Sequence, residues 1–232
     1  YSWMSANQLQ LNQAKTEVLW CTSSRRLNRI PMGPVRIGGT QVQPVSTVRD
    51  LGVMLDADLT FRTHVTPTVR ACFAALRRIR SVKRSLPRSC LLTLIRSLII
   101  TKLDYCNSVL AGTAACLQER LQSMSGCNPQ LRSKTGLFCS KIRPLLHDLH
   151  WLRVPERIQF RLCVLAYRCL NDTAPSYLAS TMRLTTDIEA RRCLRSSNAV
   201  TIIEPAVKRT TLGGRAFPVT AARAWNNLPP AV

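Results

Sequence analysis

Between residues 66 and 112 apolar side chains recur at the spacing of a helix face, and this stretch constrains the fold more than any other. Val69, Cys72, Phe73, Leu76 and Ile79 follow the i, i+3, i+4, i+7 rhythm of a helix with one buried side. Thr66 and Pro67 read as its start, with Thr as the cap and Pro at the first helical position, where a backbone N–H is not needed. Arg80 and Lys83 would fall on the buried face of a longer helix, which places its end near residue 80. A second helix restarts after Pro87, runs to about Leu110 and stops at Gly112. Its Leu91, Leu92, Leu94, Ile95, Leu98, Ile99 and Leu103 are apolar nearly all round, the mark of a helix packed on several sides.

The charge on this region is one-sided. From residue 59 to residue 103 there is no Asp or Glu, while Arg62, Arg70, Arg77, Arg78, Arg80, Lys83, Arg84, Arg88, Arg96 and Lys102 are all present. A solvated helix face ordinarily mixes signs and gains i, i+4 ion pairs, and here the partners are missing. Arg70 and Arg77, with Arg84 if the helix persists, recur every seven residues and fall near one line. Such a line can track a phosphate backbone without reading base sequence. The whole 232-residue chain repeats the bias, with 33 Lys and Arg against 12 Asp and Glu and a net charge of +21. A surplus of that size repels itself, and a polyanion is its commonest partner: nucleic acid first, an anionic membrane surface second. Phe61 and Phe73 are too few to predict a base-stacking platform in this region.

The flanks differ in character. At 46% hydrophobic the chain can build a core. Residues 1–60 mix a short helix with strands. Residues 18–21 are β-prone, residues 35–45 read as two short strands around Gly38 and Gly39, and Val48 to Leu55 supplies a further strand. Beyond a central part, 61–145, a third region covers 146–232. It opens with a helix from Pro155 and Glu156 to about Leu170, with Ile158, Leu162, Leu165 and Cys169 on its core face, stopped by residues 171–175. Thr201 to Ile203 reads as a strand, and the tail from Leu212 receives no element. There is no internal repeat. The expected class is α+β: a small strand-containing part, a mainly helical part and a mixed C-terminal extension.

Ten cysteines are scattered without a Cys-x-x-Cys, and three histidines offer only His147 and His150, with Cys139 near them, as a zinc candidate. That set is short of four ligands, so no metal site is expected. Cys72, Cys163 and Cys169 occupy apolar helix positions, where a thiol behaves as a small hydrophobe. The usage suits a reducing interior, nucleus or cytoplasm. The longest apolar run, 91–103, is interrupted by Arg96 and Lys102 and is too short to span a bilayer, so no membrane partner is expected. The chain opens on Tyr1 rather than Met and reads as a fragment.

Several segments, in order, carry a family resemblance. Trp3 to Leu19, with Asn12 and the triplet Lys15, Thr16, Glu17, resembles the palm motif that follows the catalytic aspartate pair in LINE-type (non-LTR) retrotransposon reverse transcriptases. Val48 to Asp56, with Leu51 and Gly52 at its turn, resembles the primer grip. Phe61 to Val65 and the helices after it look like the thumb, and Asp104 to Ser108, Leu149 to Leu152, Arg157 to Phe160 and Ala222 to Asn226 resemble segments further downstream. The resemblance implies a palm remnant over 1–60, a thumb over 61–145 and an extension of unknown role. It implies that Arg70, Arg77, Arg84, Leu51 and Gly52 touch an RNA–DNA or DNA duplex. It gives Lys15 as a candidate for assisting the departing pyrophosphate. Mg2+ belongs to the intact polymerase, but the metal-binding aspartates lie in motifs this sequence lacks. No cofactor, small-molecule substrate or catalytic activity is therefore expected of this chain.

Asp56 and Asp58 read as ordinary loop acids. Residues 123–140 depart from the family, since Gly126 and Pro129 break the helix expected there, and a frameshifted stretch would account for this. The expected function is sequence-tolerant template–primer binding by a non-catalytic polymerase fragment. The alternatives are part of an active reverse transcriptase with its palm upstream, and a degenerate product with no stable function.

Overall fold

The computed structural model describes residues 2–22, 24–31, 33–123, 152–187, 201–208 and 212–229. Cys139, His147 and His150, most of the 123–140 stretch and residues 149–151 lie outside them. The chain is mixed α+β and divides into two compact units, Tyr1–His64 and Val65–Val232.

The first unit is built from short strands after a helix α1 (Ser2–Ala6). Strand β1 (Val18–Leu19) pairs in parallel with β4 (Pro44–Val45). Strands β2 (Val35–Ile37) and β3 (Thr40–Val42) form the expected hairpin around Gly38 and Gly39, with Val35 opposite Val42. Residues 48–55, expected as one strand, are instead a second hairpin: β5 (Thr47–Asp50) pairs antiparallel with β6 (Val53–Asp56). Its two-residue turn has φ of 43° at Leu51 and 88° at Gly52. Two left-handed residues in succession match the twist of the flanking strands, and that turn, not a β-run, decides the local topology. Among the described residues the unit buries only Val53, Asp56 and Phe61.

Asp56 organises the end of that unit. It is 7% exposed and accepts hydroxyl hydrogen bonds from Thr60 (2.8 Å) and Thr63, while Asp58 accepts the Thr60 N–H at 3.2 Å. These bonds fix the chain where helix α2 begins, so α2 spans Arg62–Val82 and does not start at Thr66. Pro67 lies inside it. Its exposed ring lies in the second turn and leaves the Thr63 carbonyl without its intrahelical N–H partner.

In the second unit α2 buries Val65, Val69, Cys72, Leu76 and Ile79 along one side. Leu86 is extended (φ −119°, ψ 137°), as the residue before Pro87 must be, and separates α2 from α3 (Arg88–Ile95). After α3 comes a wide π-helical turn, Arg96–Ile100, and then α4 (Thr101–Asp104). Leu91, Ile95, Ile99 and Leu103 recur every fourth residue and are all buried. On an unbroken α-helix that spacing drifts by about 40° per step, and the extra residue in the wide turn takes back about 100°. The helical run ends at Asp104, not Leu110: Cys106 is left-handed (φ 49°), and Asn107–Leu110 form a 3₁₀ turn. Gly112 (φ 65°) closes it. A Cβ there would lie 2.8 Å from Arg215 Cγ, so both conformation and space require glycine.

Helix α5 (Ala115–Gln122) buries Leu117 and Leu121, and its Gln122 Oε1 accepts the Val154 N–H at 2.7 Å. Helix α6 (Val154–Leu170) occupies the span the sequence predicts and buries Val154, Ile158, Leu162, Cys163, Ala166 and Cys169. Leu165 is only half-buried. Glu156 accepts the Arg153 N–H (2.8 Å), a carboxylate at the positive helix end. Helix α7 (Ser176–Ala179) follows.

Residues 201–203 hold one antiparallel bridge, Leu184 to Ile202, in place of a full strand. The Asn226 amide completes it by accepting the Ile202 N–H and donating to the Ile202 carbonyl, both at 2.9 Å. The tail, left without an element by the sequence, holds α8 (Phe217–Asn226), with Pro218 in its first turn and Val219, Ala221, Ala222 and Ala224 buried. It packs on α6, where Ala166, Ala221 and Ala222 are each 0% exposed, and small side chains let the helices approach closely.

Candidate nucleic-acid interface

The ten cations between residues 59 and 103 all have exposed side chains. Burial of the apolar side of α2 dictates this for the five on that helix. Arg70 and Arg77 stand about 120–140° round the helix from the middle of the buried row, roughly 10 Å apart along the axis. Neither makes a hydrogen bond or ion pair with another described residue. Arg78 lies on the opposite flank and Arg80 nearer the buried row, so the basic surface wraps the solvent side of α2. Arg84 does not extend the Arg70–Arg77 line as a third helical step. Helix α2 ends at Val82, and Arg84 sits on the 3₁₀ turn Lys83–Ser85. It remains exposed on the same run of chain. Arg80 and Arg88 each have a further interaction within the chain.

Beneath this surface Cys72 is fully buried, and burial pushes its thiol up, with the Lys102 ammonium pulling the other way. Burial raises Cys163 and Cys169 as well, so these thiols pack as hydrophobes.

The remaining candidates lie in the first unit. Leu51 and Gly52 form the exposed tip of the β5–β6 hairpin, with Leu51 83% exposed. Lys15 is exposed at the end of the 3₁₀ turn Gln13–Lys15, which closes on the Asn12 carbonyl through the Lys15 N–H (3.1 Å) and the Thr16 hydroxyl (2.9 Å). His64 is half-buried, and its Nδ1 accepts the Met54 N–H at 3.4 Å. Burial lowers its pKa, against a smaller upward pull from Asp56.

The carboxylates of Asp56 and Asp58 are already engaged by neighbouring groups. Asp56 is buried with both oxygens taken by Thr60 and Thr63, and Asp58 is turned onto the Thr60 amide. Sequence alone did not reveal the structural part Asp56 plays; the signal was the pair of threonines four and seven residues on. Among the described residues no group of three His, Cys, Asp or Glu side chains could hold a metal, and no helix is long and apolar enough to cross a membrane. No family model, curated protein or solved structure matches the chain.

Proposed function

We propose that the chain binds nucleic acid through the arginine-bearing side of α2 and the turn after it, holding a template–primer duplex by its phosphates without reading sequence. The observation that carries this is the exposure of all ten cations in a run without a single carboxylate. A surface of that kind gains from releasing the counterions condensed on a duplex. Arg70, Arg77 and Arg84 are the phosphate contacts in this reading.

The resemblance of the ordered segments supplies the origin: the end of the palm and the thumb of a LINE-type RNA-directed DNA polymerase, acting in the nucleus or cytoplasm. There the Leu51–Gly52 tip meets the primer strand. No catalytic step is proposed for Lys15.

Fluorescence anisotropy of the full chain with labelled RNA–DNA and DNA duplexes of unrelated sequence tests the proposal. The expected result is the same affinity for each sequence and a log affinity falling with log salt at a slope of about −3, the release expected from three or four phosphates. A flat salt response, or binding confined to one sequence, would overturn it.

A further inference from the structure

The outer side of α6 bears two parallel rows with the same seven-residue step. Phe160 and Tyr167 are 60% and 57% exposed and lie opposite the buried row Ile158, Leu162, Ala166 and Cys169. Seven residues bring a helix back to within about 20° of the same direction, so the two rings stand in line roughly 10 Å apart. Arg161 and Arg168 repeat the step one residue on, about 100° round, and both are exposed. Between the rows lies Arg157, which is committed elsewhere: its guanidinium grips both oxygens of Asp104 at 2.8 and 2.7 Å.

On its arginine side this face opens into a cleft of about 730 Å³. Arg161 and Leu165 line it from α6, and Arg96, Ile100, Tyr105 and Asn107 line it from the wide helical turn and the chain break that follows. Asn107 is 3% exposed, and its Oδ1 has no hydrogen-bond partner among the described residues. With Asp104 neutralised by Arg157, Arg96 and Arg161 are left to set the sign of the cleft.

Two large exposed rings in line on one helix face offer a platform to a partner with flat apolar surface. Cations beside them at matching intervals require that partner to be anionic along its length. Unpaired bases on a phosphate backbone meet both demands, because every base has a π-face and each step carries a charge. A duplex hides its base faces, and an acidic protein has no regular stack. We infer that the outer face of α6 is a second nucleic-acid site, specific for single strands. Bases stack on Phe160 and Tyr167, and phosphates lie along Arg161 and Arg168 toward the Arg96 side of the cleft. Its rings and its two aligned arginines belong to α6 and are not among the residues assigned to the duplex on α2 and the turn after it.

The test uses the full chain and labelled oligo-dT and oligo-U of about 15 nucleotides, a length within the range that single-strand platforms engage. All substitutions fall on exposed positions, and the helical circular dichroism of each variant is compared with that of the parent. F160A/Y167A is expected to weaken single-strand binding roughly tenfold or more while leaving the log–log salt slope unchanged. R161Q/R168Q is expected to lower that slope by about 1.4. Both pairs leave duplex affinity within about twofold, and R70Q/R77Q produces the converse pattern, so failure of either site is seen without the other. Unchanged oligo-dT affinity in F160A/Y167A overturns the inference. So does concentration-dependent self-association of the parent that F160A/Y167A abolishes without loss of oligonucleotide affinity, because the rings would then be a contact between copies.

Discussion

Individual residues decide more of this structure than their type suggests. Leu51 occupies a left-handed position (φ 43°) with its side chain in solvent, where Asn or Gly is the usual occupant. The conformation opposes a leucine by about 1–2 kcal/mol, and little burial offsets that. Leu51→Asn is therefore expected to stabilise the β5–β6 hairpin by about 1 kcal/mol, seen as slower hydrogen exchange of its amides. Faster exchange would mean that the leucine makes a contact worth more than the strain.

His64 gives a pH dependence. Its folded pKa lies below the unfolded value near 6.5, because burial disfavours the cation. The unfolded chain then binds the proton first, so the His64 contribution is complete above about pH 6.5 and is lost as pH falls through the lowered folded value. Acidification from neutrality should loosen the first unit, with the Met54 amide exchanging faster than pH alone dictates. His64→Gln, which keeps an acceptor, should flatten the profile. An unaltered profile in that variant would assign the acid sensitivity to another group.

At the scale of elements, the parts legible in the sequence were those with a single periodicity and a punctuating residue. The Gly38–Gly39 hairpin and α6 are examples, one set by its turn and the other by apolar spacing and Pro155. The wide turn after α3 was hidden because a helix apolar nearly all round looks the same in either winding. Helix α8 was hidden because its alanines, the best helix formers, carry no polarity pattern until α6 covers them. The start of α2 was misplaced because a cap at Thr66 is a local signal, whereas the bonds from Thr60 and Thr63 converge on a side chain upstream.

The Asp104–Arg157 pair joins the end of α4 to the start of α6. Its side chains are 30% and 15% exposed, between the surface and buried regimes. A double-mutant cycle with Asp104→Asn and Arg157→Gln, read by thermal unfolding, should give a coupling of about 1–2 kcal/mol. A value near zero would show that α6 is held by its apolar side alone.

For the whole molecule, the exposed rows of the candidate interface were partly legible and partly not. Arg70 and Arg77 could be placed from sequence because the apolar row of α2 fixes the opposite side. Arg84 could not, since the helix ends before it reaches the third step. The rings of α6 were visible as residues, but only the buried row beneath them shows that they face outward. The central claim is that the excess of positive charge is organised, with the arginines of α2 and not the net charge of +21 making the contact. The most direct measurement compares two charge-matched variants on one duplex across a salt series: R70Q/R77Q, and R120Q/R183Q, which removes two exposed arginines elsewhere. An organised interface predicts that R70Q/R77Q lowers the log–log slope by about 1.8 and that R120Q/R183Q leaves it unchanged. Equal, small losses in both would contradict the account, because diffuse charge alone would then explain the binding.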